Sequence, residues 1–338
     1  MRNGINRFLC KTCGGRFSVD HRVSSSPFWI PYVDGLPFRK LGQEECLSPA
    51  QTFARVLREM ESLPSNTEIS KQFCDPSKWS GILNLDGKYV KILSIKSPNK
   101  KSIPWLWGVD FSSHDFPLGL LVPSEDEKAF LRYFQQLKKM DYPLKVVVCD
   151  SVFPLQSALF QIFPEAKIQL CHTHYLENIR KLLNTRTDPT YRHFFHSLVK
   201  WIFRLPKTKE ERELGFAHLF HKYAKGDLLL EGILLHIRNH EETLFVYQSI
   251  PDCPATNNII ESFNSHLKGR LKTMKGFQTF LSARTFLNAW LLRRRTSPFT
   301  DCDRPFKHLN GKSPLQITIK DGIPWPQIPG IQAPKTER

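Results

Sequence analysis

The chain has 338 residues, enough for a large core and two or three domains. Its hydrophobic share of 41% and charged share of 24% are those of a globular protein, and no apolar run approaches the about 20 residues of a membrane span. The start, M-R-N-G-I-N-R-F-L-C, carries no signal-peptide core, so a cytoplasmic or nuclear protein without a membrane partner is expected.

Lys plus Arg number 48 against 32 Asp plus Glu, a net charge of +16. That balance points to a polyanionic partner, because neutralised phosphates release counterions. An aromatic content of 12% argues for a folded body, not a basic tail. The eight cysteines do not have the density of a secreted disulfide scaffold, and reduced thiols are expected.

Residues 1–21 hold C-K-T-C-G-G-R-F, from Cys10 to Phe17. A C-x-x-C followed by glycine makes a zinc-knuckle turn. Cys10 and Cys13 supply half a ligand set, with His21 as a third candidate and no clear fourth. This pair alone is expected to hold well under one zinc per chain. Residues 22–77 are irregular at first and then helical. S-P-A-Q-T-F-A-R-V-L-R-E-M has Ser48 as N-cap and Pro49 in the first turn, and N-T-E-I-S-K-Q-F follows a break at residues 63–66. Two helices with a turn fit a helix-turn-helix on DNA, although such hairpins are common elsewhere.

Residues 78–172 change character. Three β-rich runs, a helix with acids first and bases last, the apolar run L-K-V-V-V-C-D, a second helix and A-K-I-Q-L-C give the order β-β-β-α-β-α-β. In a ribonuclease-H-like sheet the first and fourth strands are central neighbours. Asp86 lies in the first and Asp150 at the carboxyl end of the fourth, where open α/β sheets place their chemistry. Asp110, which ends the strand G-V-D-F, rivals Asp86, whose Asp-Gly pair also suits a turn.

Residues 173–255 read as an all-helical insertion of at least four helices with its own core, Trp201 packing inside and basic faces outward. Residues 256–296 hold two helices, and 297–338 form a proline-rich tail. In the first of these helices, Ile260, Phe263, Leu267 and Leu271 make an apolar stripe, while Glu261, Ser265, Lys268 and Lys272 share another face. Its asparagines suit an N-cap, and Asn258 with Glu261 has the spacing of a capping box. Asp86, Asp150 and Glu261 together can hold two Mg²⁺ (or Mn²⁺) ions about 4 Å apart, as in-line phosphoryl displacement requires.

L-D-G-K-Y-V-K-I, V-V-V-C-D-S, F-P-E-A-K-I-Q-L-C-H-T-H-Y-L-E-N-I and N-N-I-I-E-S-F-N, in this order, resemble the Mutator-type DDE transposases of bacterial insertion sequences. The resemblance spans roughly residues 78–295 and implies an α/β, RNase-H-like core with an all-helical insertion. It selects Asp86 over Asp110 and makes Asp86, Asp150 and Glu261 the catalytic, Mg-binding triad. The family's C-x-x-H-x-x-x-N is matched by Cys171, His174 and Asn178. Cys171 and His174 could ligate a metal, but two donors do not close a zinc site, which favours a structural role. The family's complete zinc ribbon is matched only in its second half, and H-L-N-G-K-S-P-L-Q resembles a closing piece that docks on the core.

The resemblance implies a DNA transposase, a nuclease and strand transferase on transposon ends and target DNA. Such a protein works as a homodimer or higher oligomer in the nucleoid. Lys268, Arg270, Lys272, Lys275, Arg293, Arg294 and Arg295 would follow the DNA backbone. The alternatives are a catalytically inactive DNA-binding regulator and a metal-dependent structure-specific nuclease.

Overall fold

The computed structural model describes residues 5–20, 26–43, 45–94, 102–151, 153–204 and 208–334. The chain divides into two compact units, one of residues 1–63 with 327–338, the other of residues 64–326.

In the first unit β1 (Ile5–Leu9) and β2 (Arg16–Asp20) form an antiparallel hairpin. Cys10 and Cys13 sit at its turn, where the Gly14 amide donates to the Cys10 carbonyl at 2.9 Å. Amides of Cys13 and Thr12 pull the Cys10 thiol down to about 7, which suits a thiolate. His21 lies outside the described residues. Three helices follow: α1 (Trp29–Asp34), α2 (Phe38–Leu41) and α3 (Pro49–Glu61). As its sequence predicts, α3 starts with Ser48 as its N-cap, and Gln51 completes a full capping box with it. The core of this unit is Trp29, fully buried, whose indole donates to the Pro329 carbonyl at 2.9 Å.

The second unit opens with α4 (Asn66–Phe73). This is the second helix of the expected helix-turn-helix, and its inner face is built into the unit. Asn66 donates to the Phe116 carbonyl at 3.0 Å, and Ser70 to the Pro117 carbonyl at 2.8 Å. Then come β3 (Ile82–Lys91), β4 (Ser102–Asp110), β5 (Gly119–Leu121), α5 (Glu127–Lys138), β6 (Val146–Cys149), α6 (Leu155–Ile162) and β7 (Lys167–Leu170). Gly81 turns the chain into β3 at φ 79°, a conformation that glycine alone adopts freely.

The strands join in one sheet of order β5-β4-β3-β6-β7. β3 pairs antiparallel with β4 and parallel with β6, so the first and fourth strands are the expected neighbours. β6 is buried at every residue, as a strand covered on both faces must be. Gly108 of β4 faces α5, where an added Cβ would meet the Tyr133 hydroxyl at 2.8 Å. Trp107 points the other way, since side chains alternate along a strand.

The insertion is helical: α7 (His172–Leu182), α8 (Arg192–Leu198), α9 (Lys209–Leu219), α10 (Leu228–Asn239) and α11 (Glu241–Leu244). Between residues 175 and 250 there is no strand among the described residues. Ile179, Leu198, Phe216, Leu219, Ile237 and Leu244 form its core, which continues to Leu170 of β7. Trp201 is only half-buried, at the rim of this cluster and beside His218.

Two long helices, α12 (Asn258–Met274) and α13 (Phe280–Thr296), then cover the Trp107 face of the sheet. Trp290 lies edge-on to Trp107 at 5.4 Å, and Phe263 to Phe116 at 4.8 Å. The tail docks as expected through α14 (Pro314–Thr318), where Thr318 donates to Asp115 at 2.8 Å. Among the described residues no helix is long and apolar enough to cross a membrane.

Candidate active site

Asp86 stands on β3 directly across from Trp107 of β4, on the face that α12 covers. The Trp107 indole donates to Asn264 Oδ1 at 3.2 Å, and the Asn264 amide donates in turn to Asp86 Oδ2. The Gly87 amide holds the other oxygen at 2.7 Å. Burial raises the Asp86 pKa, opposed by the Gly87 amide and by Lys88. The rival Asp110 is fully buried and takes hydrogen bonds from Ser80, Gly81, Ser113 and Tyr142. Its oxygens tie the ends of β3 and β4 together.

Asp150 follows β6, Glu261 lies in the first turn of α12, and His174 in the first turn of α7. The sheet and the two helix starts bring them together. His174 Nδ1 is 2.9 Å from Asp150 Oδ1 and 3.4 Å from Glu261 Oε1. The same nitrogen lies 3.4 Å from Cys171 Sγ, and only toward the sulfur is a hydrogen-bond geometry met. Asp150 is pushed up to about 6, chiefly by burial and then by the charge of Asp86, with Glu261 adding to it. Asp150 Oδ1 and Glu261 Oε1 are both shielded from solvent and accept no hydrogen bond. The charges of Asp86 and Glu261 both reach the Asp150 carboxyl, and oxygen ligands of this kind are what hard divalent cations take.

The expected capping box at α12 does not form. Asn257 is the N-cap residue but makes no side-chain cap. Its amide group instead donates to the Leu85 carbonyl at 3.1 Å, and its backbone N–H donates to Cys171 Sγ at 3.2 Å. It is fully buried. Helix capping was outbid by the site itself. Asn178 is exposed one turn beyond His174, in an apolar groove with Tyr175, Leu182 and Leu228, away from the acids.

A cleft of about 690 Å³ runs from Gly87 and Lys88 along β3 and α12. Lys88, Lys91, Lys268, Lys272 and Lys275 line it, and Tyr89 stands at its wall. Among the described residues no carboxylate pairs with these lysines. The pKa of Lys88 is lowered by burial, and further by Lys268, against the pull of Asp86. Arg270 points elsewhere, its guanidinium over Phe286 of α13, and Arg294 lies over Trp290.

Arg295 is a correction to the expected DNA-contacting set. It is fully buried and grips Asp115 with two bonds of 2.7 Å, and it also donates to Asn66, Ser70 and Cys74. A guanidinium with these partners locks α4 and α13 to the core and cannot reach a ligand. Sequence reasoning missed Lys88, Lys91, Asn257 and Asn264. The period of two from Asp86 to Lys88 was a signal for the first, and N-x-x-E-S-x-N for the asparagines.

The sequence matches the family model described as "Transposase, Mutator family" over residues 77–294. It is also similar to the transposase for insertion sequence element IS1201 of Lactobacillus helveticus, at 23% identity over 172 residues. That match covers 49% of this chain and 44% of the relative, so less than half of the relative's length is spanned.

Proposed function

Because the chain belongs to the Mutator family of transposases, we propose that it cuts and joins the DNA ends of an insertion sequence by metal-dependent phosphoryl transfer. The scaffold in this reading is an RNase-H-like core, and Asp86, Asp150 and Glu261 are its DDE triad. The observation that carries it is the meeting of the three acids from β3, the end of β6 and the start of α12, with two solvent-shielded oxygens that no donor satisfies. Two Mg²⁺ or Mn²⁺ ions bound there would sharpen the attacking oxygen and offset charge on the departing one.

The chain's own residues do the positioning. Asn264 and the Gly87 amide fix the Asp86 carboxylate, and Asn257 ties the start of α12 to Leu85 of β3. The lysines of the cleft hold the phosphate backbone beside the acids and carry no sequence information. Transposon ends and target DNA are the partners, and a homodimer or higher oligomer brings two ends together. Cys10 and Cys13 are the second half of a zinc ribbon in this reading.

The test is cleavage and strand transfer on a supercoiled plasmid carrying the element's ends. Asp86→Asn, Asp150→Asn and Glu261→Gln each abolish cleavage, while DNA affinity stays within about threefold because phosphate contacts dominate it. Cleavage lost in Asp110→Asn with its fold intact, and kept in Asp86→Asn, would overturn the triad. Cutting without joining would favour a nuclease.

A further inference from the structure

We propose that Asp150, Cys171 and His174 form a zinc site on one edge of the acidic cluster, and that zinc held there withholds Asp150 from the reaction. Binding is a claim about this chain alone; the consequence for cleavage rests on the transposase reading.

The three ligand atoms lie within 4.8 Å of one another. His174 Nδ1 is 2.9 Å from Asp150 Oδ1 and 3.4 Å from Cys171 Sγ. For a tetrahedral ion with bonds of about 2.0 Å to nitrogen and 2.3 Å to sulfur, donor-to-donor edges are roughly 3.3–3.6 Å. Two edges therefore already match to within a few tenths of an ångström. Glu261 Oε1, 3.4 Å from the same nitrogen, stands outside this trio and is left for a contact through water. Local structure explains the convergence. Cys171 is the N-cap of α7 and His174 lies in its first turn, so both side chains turn back toward the end of β6.

The donor chemistry separates this site from a magnesium site. Mg²⁺ demands oxygen ligands in octahedral geometry, whereas thiolate plus imidazole selects zinc and its neighbours. Cys171 is 1% exposed, and its sulfur already accepts the Asn257 backbone N–H at 3.2 Å, which opposes the upward push of burial on its pKa. Asp150 Oδ1 accepts no hydrogen bond, so a cation there takes an unmet acceptor and replaces only the His174 contacts to Asp150 and Cys171. The sequence shows only two of these donors at C-x-x-H spacing; the third comes from the next strand over.

Cobalt titration of the full chain decides the matter, in a background of Cys10→Ser and Cys13→Ser so that the hairpin thiols contribute nothing. One Co²⁺ per chain is expected, with a near-ultraviolet sulfur-to-cobalt charge-transfer band and intense visible bands of tetrahedral coordination. Zn²⁺ displaces it and millimolar Mg²⁺ does not. Cys171→Ser, which keeps the side chain's size, removes the charge-transfer band. His174→Gln weakens zinc at least about tenfold, as loss of a ligand requires. Thermal melts of each variant establish that it is folded.

A cobalt spectrum unchanged in folded Cys171→Ser, or a zinc affinity unchanged in folded His174→Gln, would overturn the site. In the cleavage assay, the zinc concentration that halves the Mg²⁺-supported rate rises at least about tenfold in Cys171→Ser, measured against that variant's own zinc-free rate. An unchanged value would sink the inhibitory role. Wild type that binds zinc yet never cuts DNA would sink the transposase reading and leave the zinc site standing.

Discussion

Asp150→Asn should stabilise the metal-free protein at neutral pH and destabilise it relative to wild type once metal is added. In the folded chain the Asp150 pKa rises from 3.8 to about 6, first through burial and then through Asp86. A raised carboxylate pKa means that the charged form is penalised in the fold. The penalty is absent below about pH 3.8, grows as pH rises, and is complete above about pH 6. About two units correspond to ~3 kcal/mol if taken at face value. The side chain is 35% exposed, so solvent screening reduces this to ~1 kcal/mol. For a unit of this size that is roughly 2–4 °C in Tm.

The assay is a thermal melt of wild type and variant in EDTA at pH 4 and pH 7.5. The variant melts higher at pH 7.5, and the gap closes at pH 4. Millimolar Mg²⁺ then raises wild type by mass action and leaves the variant behind, reversing the order. A variant that melts lower than wild type at pH 7.5 without metal, or a gap that persists at pH 4, would refute the electrostatic reading of the site.

Arg295→Met strips a fully buried guanidinium from Asp115, Asn66, Ser70 and Cys74, and costs about 3–5 kcal/mol in urea unfolding because Asp115 is left charged and buried. A cost below about 1 kcal/mol would mean the pair is not as drawn. Asn264→Ala releases Asp86 from the Trp107–Asn264 relay and lowers the single-turnover cleavage rate about 10–100-fold with DNA affinity unchanged. An undiminished rate would make the relay ornamental. Neutralising Lys88, Lys91, Lys268 or Lys272 to Gln reduces the salt slope of DNA binding by about one each, while Arg270→Gln leaves it unaltered. Equal slopes in all five variants would remove the cleft from the DNA path.

The order of strands and helices was legible because each run keeps its own period. V-V-V-C reads as a doubly covered strand and is one, and the helical insertion shows in the clustered apolar residues of α8 and α9. Long-range polar pairing was not legible. Arg293, Arg294 and Arg295 are neighbours in sequence and look alike there. Only the position of Asp115, far away in the chain, makes the third one structural. Asn257 misled for a related reason. Asparagine before a helix is the best local cap, yet a tertiary partner at Leu85 took its side chain.

The contrast between the two β-sheet aspartates shows what local pattern cannot supply. Asp86 and Asp110 both sit in hydrophobic strands, and burial raises both pKa values. What separates them is the use of their lone pairs. Asp110 has spent its own on Ser80, Ser113 and Tyr142, so a cation gains nothing there and would have to break those bonds. Asp86 is held by Asn264 and Gly87, and its charge reaches Asp150, whose Oδ1 accepts no hydrogen bond. Buried acceptors left unmet are costly in any fold, and this one keeps two within reach of a single imidazole. The cost is tolerable if a cation normally meets them, and in the proposed reading it is the unmet oxygens beside His174, more than the acids as such, that favour a metal there.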